Sequence, residues 1–143
     1  MQGKISLIKS KIYLYKIKLY DIIYLKLKVE VIMEDCIFCK IRVGEIPSTK
    51  LYEDEDFMII KDINPVAKIH LIAIPNEHYA TLEMQTEEGA RVLGKILSKI
   101  GDLADSLGLE NGYRLVINQG EDAGQTVHHL HIHIMGGEKL KNL

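Results

Sequence analysis

The chain has 143 residues, 47% of them hydrophobic and 27% charged, which fits one ordinary globular domain. The net charge of −2 is unevenly spread. Residues 1–32 hold seven lysines against Asp21 and Glu30, and residues 33–143 stand at −7. An acidic domain excludes broad nucleic-acid binding, which needs a basic face.

Residues 1–32 differ from the rest, with Ile, Lys, Leu and Tyr supplying 23 of the 32. Lysines interrupt the segment too often for the ~18 apolar residues of a membrane span. They also break up the roughly 7–15 apolar residues of a signal-peptide core. No membrane partner follows from this pattern, and a cytoplasmic location is expected. All four dominant amino acids can be written with A/T-rich codons, and Met33 stands directly before Glu34-Asp35-Cys36. The expectation is that residues 1–32 are translated upstream sequence and that the folded domain is 33–143. The rival is a basic amphipathic segment on a membrane surface.

In chain order, Cys36–Arg42 predicts a short helix ended by Val43-Gly44. Thr49–Glu53 and Phe57–Asp62 predict two strands around the acidic turn Asp54-Glu55-Asp56. Asn64-Pro65 is a turn, and Ile69–Ile74 is a third strand closed by Pro75. Thr86 is a helix N-cap with Glu87 and Glu88 in the first turn. Val92, Leu93, Ile96, Leu97, Ile100, Leu103, Ala104 and Leu107 follow at helical spacing, and Gly108 ends the helix. After the turn at Asn111-Gly112, Tyr113–Asn118 and His129–Met135 predict two last strands. The result is an α+β domain, an antiparallel five-stranded sheet with one long helix across a face and a short N-terminal helix.

The last of these strands carries the chemistry. In His128-His129-Leu130-His131-Ile132-His133-Ile134-Met135, three imidazoles alternate with aliphatics. An extended chain sends His129, His131 and His133 to one face and Leu130, Ile132 and Ile134 to the other. A solvated strand has no need of that many histidines in register, whereas a site handling phosphate, metal or protons does. Gly124-Gln125-Thr126 lies just upstream, where a loop can present amides to an anion. Gly136-Gly137 closes the strand.

Cys36-Ile37-Phe38-Cys39 holds the only cysteines. Nothing suggests secretion, so a structural disulfide is not expected. A redox couple, half of a zinc site and two buried thiols all stay open, with no thioredoxin-like βαβ pattern to favour the first. His70, between Ile69 and Leu71, reads as a hydrogen-bonded structural histidine. The competing reading makes it a partner supporting the site.

His129 through Met135 resembles the His-φ-His-φ-His-φ-φ signature (φ apolar) of the histidine triad superfamily of nucleotide hydrolases and transferases. Asp62-Ile63-Asn64-Pro65 resembles the family's Asp-Ile-x-Pro segment, and Ile117-Asn118-Gln119-Gly120 its Asn-bearing strand end. Pro75-Asn76-Glu77-His78 is similar to its Pro-Lys-x-His element, with Asn76 in place of lysine. The resemblance spans residues 34–140. Gly136-Gly137 resembles the branch of purine-nucleoside phosphoramidases rather than the dinucleoside-polyphosphate hydrolases.

The resemblance implies a homodimer whose sheets join edge to edge. It implies His131 as the nucleophile toward the α-phosphate, with its Nδ1–H held by a backbone carbonyl within the motif. His133 is then a phosphate contact that helps protonate the leaving amine, and Thr126 a hydroxyl near the phosphate, with the amides of Gly124 and Gln125. Asp62 would receive the ribose hydroxyls. Phe38, Ile41, Ile60 and Ile63 would sandwich the base, and Asn118 would contact ribose or phosphate. A structural zinc would sit on Cys36, Cys39, His78 and His129. His128 faces away and takes no catalytic role.

Three functions fit these residues to different degrees. A purine nucleoside 5′-phosphoramidate hydrolase working through a nucleotidyl-histidine intermediate uses every group. A nucleotide-binding regulatory module would keep the pocket with little catalysis. A zinc-stabilised interaction protein would leave His131 and His133 unexplained. Within the enzyme class, the rival is dinucleoside polyphosphate hydrolysis.

Overall fold

The computed structural model describes residues 18–27, 35–82 and 86–141. The chain divides into two units, Met1–Asp35 and Cys36–Leu143. In the first, residues 18–27 form a helix, α1. The remainder of the lysine-rich segment, and the expected start at Met33, lie outside the described residues. No helix among the described residues is long and apolar enough to cross a membrane.

The second unit is the expected α+β fold. Its elements run α2 (Ile37–Arg42), β1 (Lys50–Glu53), β2 (Phe57–Lys61), β3 (Ile69–Pro75), α3 (Glu87–Leu103), a 3-10 turn (Asp105–Leu107), β4 (Tyr113–Val116) and β5 (Ile132–Gly136). The strands form one antiparallel sheet in the order β1-β2-β3-β5-β4.

Local chemistry sets the element ends. Asp54 shapes the β1–β2 turn, its Oδ1 accepting the amides of Asp56 at 2.9 Å and Phe57 at 3.0 Å. The Thr86 hydroxyl oxygen accepts the Gly89 amide at 3.2 Å and caps α3. Gly108, with φ at 76°, stops the 3-10 turn in a conformation that favours glycine.

Packing follows the two periodicities. Val92, Ile96 and Ile100 share one stripe of α3 and are buried against Phe57, Ile59, Leu71, Ala73, Ile132 and Ile134. Each fully buried aliphatic chain contributes roughly 1.5–3 kcal/mol. The alternation in β2, β3 and β5 sends Met58, Ile60, His70, Ile72, Ile74 and His133 to the opposite face. There Phe38 of α2 meets the rings of His131 and His129 edge-on, at centroid distances of 5.1 and 5.8 Å.

Two strands are shorter than their sequence pattern. β5 begins at Ile132, not His129, because the first residues of the histidine run spend their amides elsewhere. The His129 N–H donates to the Val127 carbonyl and the Leu130 N–H to the Tyr79 carbonyl. β4 consequently ends at Val116, whose ladder partner is His133. Continuing that register two residues would set Asn118 opposite His131.

Candidate functional site

Two histidine clusters meet at the start of β5. The first joins α2 to the chain after β3. Cys36 Sγ lies 3.4 Å from Nδ1 of His129, Cys39 Sγ lies 3.7 Å from the same atom, and Cys39 Sγ lies 3.4 Å from Nδ1 of His78. One ligating atom from each of these four residues falls within 4.8 Å of all the others. Ligands around a tetrahedral zinc stand about 1.6 bond lengths apart, roughly 3.3–3.8 Å for nitrogen and thiolate donors. The three sulfur–nitrogen distances fall in that range, so the four residues could hold a metal ion.

Their surroundings suit the same purpose. His129 is 1% exposed. Its Nε2–H donates to the Pro75 carbonyl at 2.9 Å, which leaves Nδ1 as a lone pair facing both sulfurs. Burial pushes the His129 imidazole down to about 4, so the ring is neutral at physiological pH. Burial, with Cys36 alongside, pushes the Cys39 thiol up to about 12. A bound cation reverses that preference, because coordinated thiols lose their proton outright.

The second cluster begins with His131, which is 5% exposed. Its Nδ1–H donates to the His129 carbonyl at 2.6 Å, leaving Nε2 as a free lone pair. Burial lowers the pKa of His131, and the bond to that carbonyl opposes the shift. His133 stands beside it at a ring-centroid distance of 5.0 Å, and burial lowers its pKa too. Both rings are therefore neutral near pH 7.

His70 belongs to this cluster. Its Nε2 is 2.9 Å from Nδ1 of His133 and 3.3 Å from Oδ2 of Asp62. The expectation of a structural histidine is met in its burial and hydrogen bonding, but its partners are two candidate site residues. The signal lay in alternation: within the otherwise apolar Ile69–Ile74 run, His70 falls on the face opposite Ile69 and Leu71. Only the β3–β5 pairing shows what it meets there. Asp62, His70 and His133 also gather metal-ligating atoms. However, the Val66 amide donates to His70 Nδ1 at 3.2 Å, which keeps the ring's proton at Nε2 and removes the lone pair a metal would need there.

The remaining expected residues divide in two. Phe38, Ile41 and Ile60 are buried, Phe38 against the rings of His129 and His131, whereas Ile63 is 86% exposed. Asp62 is half-buried, and its Oδ1 also accepts the Asn64 amide at 2.8 Å. Asn118 is half-buried, and Gly124 and Thr126 are exposed. Gln125 turns inward. Its Oε1 accepts the Gly120 amide at 2.9 Å, and its Nε2 donates to the carbonyls of Ala80 at 2.8 Å and Val127 at 3.2 Å. That side chain clamps the loop, whose Gly124 and Gln125 amides already donate to the carbonyls of Glu121 at 2.8 Å and Gly120 at 3.0 Å. The exposed Thr126 is left as the group able to meet a ligand. His128 is exposed, as expected.

Comparison with known proteins gives a consistent picture. A family model described as scavenger mRNA decapping enzyme C-terminal binding matches residues 35–142. Protein HitA of Neisseria gonorrhoeae is 46% identical over 104 residues, covering 73% of this chain and 97% of that protein. A HIT family hydrolase from Legionella pneumophila superposes with a TM-score of 0.71 at 42% identity, covering 75% of this chain and 96% of its own. A zinc-bound histidine triad family protein from Mycobacterium smegmatis superposes with a TM-score of 0.64 at 35% identity, covering 72% and 75%.

Proposed function

This chain belongs to the histidine triad family, and on that premise we propose that it hydrolyses purine nucleoside 5′-phosphoramidates, or similar aminoacyl-adenylates, through a covalent nucleotidyl-histidine intermediate. The observation that carries the reading is the 2.6 Å bond from His131 Nδ1 to the His129 carbonyl, which leaves a lone pair on Nε2 for attack. The Legionella neighbour is itself described as a hydrolase.

In this mechanism His131 Nε2 attacks the α-phosphorus while the P–N bond breaks, and the leaving nitrogen takes a proton from His133. Water then attacks the phosphorus of the nucleotidyl-histidine, its proton returns to His133, and His131 is freed. The Thr126 hydroxyl stabilises the charge on the phosphate oxygens, with Gly124 and Gln125 holding the loop that carries it. Asp62 accepts the ribose hydroxyls, and Phe38, Ile41, Ile60 and Ile63 enclose the purine, with Asn118 beside the ribose.

The same reading places a zinc on Cys36, Cys39, His78 and His129, as the zinc-bound mycobacterial neighbour suggests. With all four positions taken by protein, such an ion supplies structure and pins α2 to the triad segment. Homodimerisation through a sheet edge belongs to the proposal as well. β1 and β4 are the edge strands, and an open edge presents unpaired backbone groups.

The test is AMP release from adenosine 5′-phosphoramidate by the wild type and by His131→Ala. Loss of the nucleophile should lower kcat by about three or more orders of magnitude. Equal, negligible rates in two folded proteins would overturn the proposal. Dinucleoside polyphosphates would then be tried as substrates, and equilibrium binding of AMP would test for a nucleotide-binding module.

A further inference from the structure

His131 and His133 sit two residues apart, yet the hydrogen bonds around them impose opposite tautomers. For His131 the assignment is direct, since a carbonyl can only accept and so Nδ1 carries the proton. For His133 it comes through a chain of three groups. The Val66 amide can only donate, and it points at Nδ1 of His70 at 3.2 Å. That nitrogen must offer its lone pair, so the neutral His70 ring carries its proton on Nε2. Nε2 stands 2.9 Å from Nδ1 of His133. A proton on that second atom would set two N–H groups against each other, and the carboxylate of Asp62, 3.8 Å from Nδ1 of His133, is too distant to draw one there. His133 therefore accepts at Nδ1 and keeps its proton on Nε2.

We propose that the backbone amide of Val66 is a positioning group for this site, acting through His70 to hold His133 as an Nε2–H donor beside the Nε2 lone pair of His131. Neighbouring imidazoles thereby present one nucleophilic lone pair and one N–H hydrogen-bond donor without either ring being charged. The inference deepens the hydrolase reading and rests on it for its catalytic consequence; the tautomer itself does not depend on it. The anchor is the peptide of an otherwise exposed residue, since Val66 is 75% exposed. What matters at this position is accordingly the N–H and not the side chain.

The test compares Val66→Pro, which removes the amide donor, with Val66→Ala, which keeps it. The primary readout is the ring ¹⁵N chemical shifts of His133 at about pH 8, above the ordinary imidazole pKa. The wild type and Val66→Ala should show a single Nε2–H form. Val66→Pro frees His70 to reverse its proton, and the two His133 nitrogen shifts should move toward each other. With adenosine 5′-phosphoramidate, kcat of Val66→Pro should fall in proportion to the fraction left in the donor form, on the order of two- to fivefold with KM unchanged. His70→Phe serves as the second variant if Val66→Pro does not fold, and should give the same convergence of shifts. A wild-type His133 protonated on Nδ1, or a folded Val66→Pro with wild-type shifts, overturns the proposal. Converging shifts in a protein that releases no AMP would uphold the tautomer control and overturn only the phosphoramidase reading.

Discussion

The carbonyl oxygen of His129 accepts the Nδ1–H of His131 at 2.6 Å. One residue thus contributes its ring to the four-residue candidate metal site and its backbone to the tautomer of the candidate nucleophile. The two clusters therefore share a residue, and what holds the His129 ring also bears on the segment that carries His131.

Protein purified without chelator should contain about one equivalent of zinc, and Cys36→Ser with Cys39→Ser should contain none. Losing the ion removes the tie between α2 and the triad segment. The expected loss of about 3 kcal/mol or more lowers the melting temperature by roughly 10 °C for a domain of this size. Elemental analysis and thermal unfolding check both parts. An unchanged melting temperature in a variant that has lost its metal would refute a stabilising role for the ion.

Asp62 tests the nucleoside pocket. Its Oδ1 accepts the Asn64 amide, a bond that the amide oxygen of Asp62→Asn can keep, so the turn should survive. What disappears is the charge that would receive two ribose hydroxyls. Hydrogen bonds to a charged group contribute about 1.5–3 kcal/mol, so KM for a ribonucleoside substrate should rise roughly 10- to 150-fold. A 2′,3′-dideoxy substrate should show almost no difference between wild type and variant. Equal penalties on the two substrates would place the ribose elsewhere.

Acid stability should depend on Asp54. Burial alone would raise its pKa, but Lys95, the amides of Asp56 and Phe57, and the Tyr52 hydroxyl outweigh burial and lower it to about 2. The Lys95 ammonium stands 2.9 Å away. A lowered folded-state value contributes stability above the unfolded value, near 4, that is lost as pH falls through the folded one. The shift corresponds to at most about 2 kcal/mol. Urea titrations between about pH 4 and pH 2 should therefore show a shallower fall for Asp54→Asn than for the wild type. Parallel curves would show that Asp54 is not the group responsible.

Two glycines should respond in opposite directions. A Cβ at Gly136 would stand 2.6 Å from Leu109 Cδ2 and 3.0 Å from the Gly112 carbonyl oxygen, and a backbone oxygen cannot step aside as a side chain does. Gly136→Ala should cost about 1–3 kcal/mol. At Gly94, inside α3, nothing lies within 4 Å of the new methyl, and Gly94→Ala should gain roughly 0.5–1 kcal/mol by improving helix propensity. Chemical denaturation of the two variants measures both signs.

By itself the sequence determined what local rules govern. Apolar runs bounded by turn residues marked β2 and β3, and alternation marked the histidine run. Helical spacing after Thr86 marked α3 but carried it to Leu107, where the structure ends it at Leu103 and adds a 3-10 turn. The residue types of Cys36, Cys39, His78, His129, His131 and His133 named the candidate groups. Those properties depend on the few residues around each position. The tertiary structure decided what depends on pairing between distant segments. It brought Cys39 within 3.4 Å of His78, 39 residues on, and His70 within 2.9 Å of His133, 63 residues on. It also started β5 at Ile132, because the Tyr79 carbonyl claims the Leu130 amide that a longer strand would have used. A strand pattern records which face a side chain takes, but backbone hydrogen-bond partners and strand order are chosen only when the whole sheet closes. For that reason His70 read as structural until β3 and β5 were laid side by side.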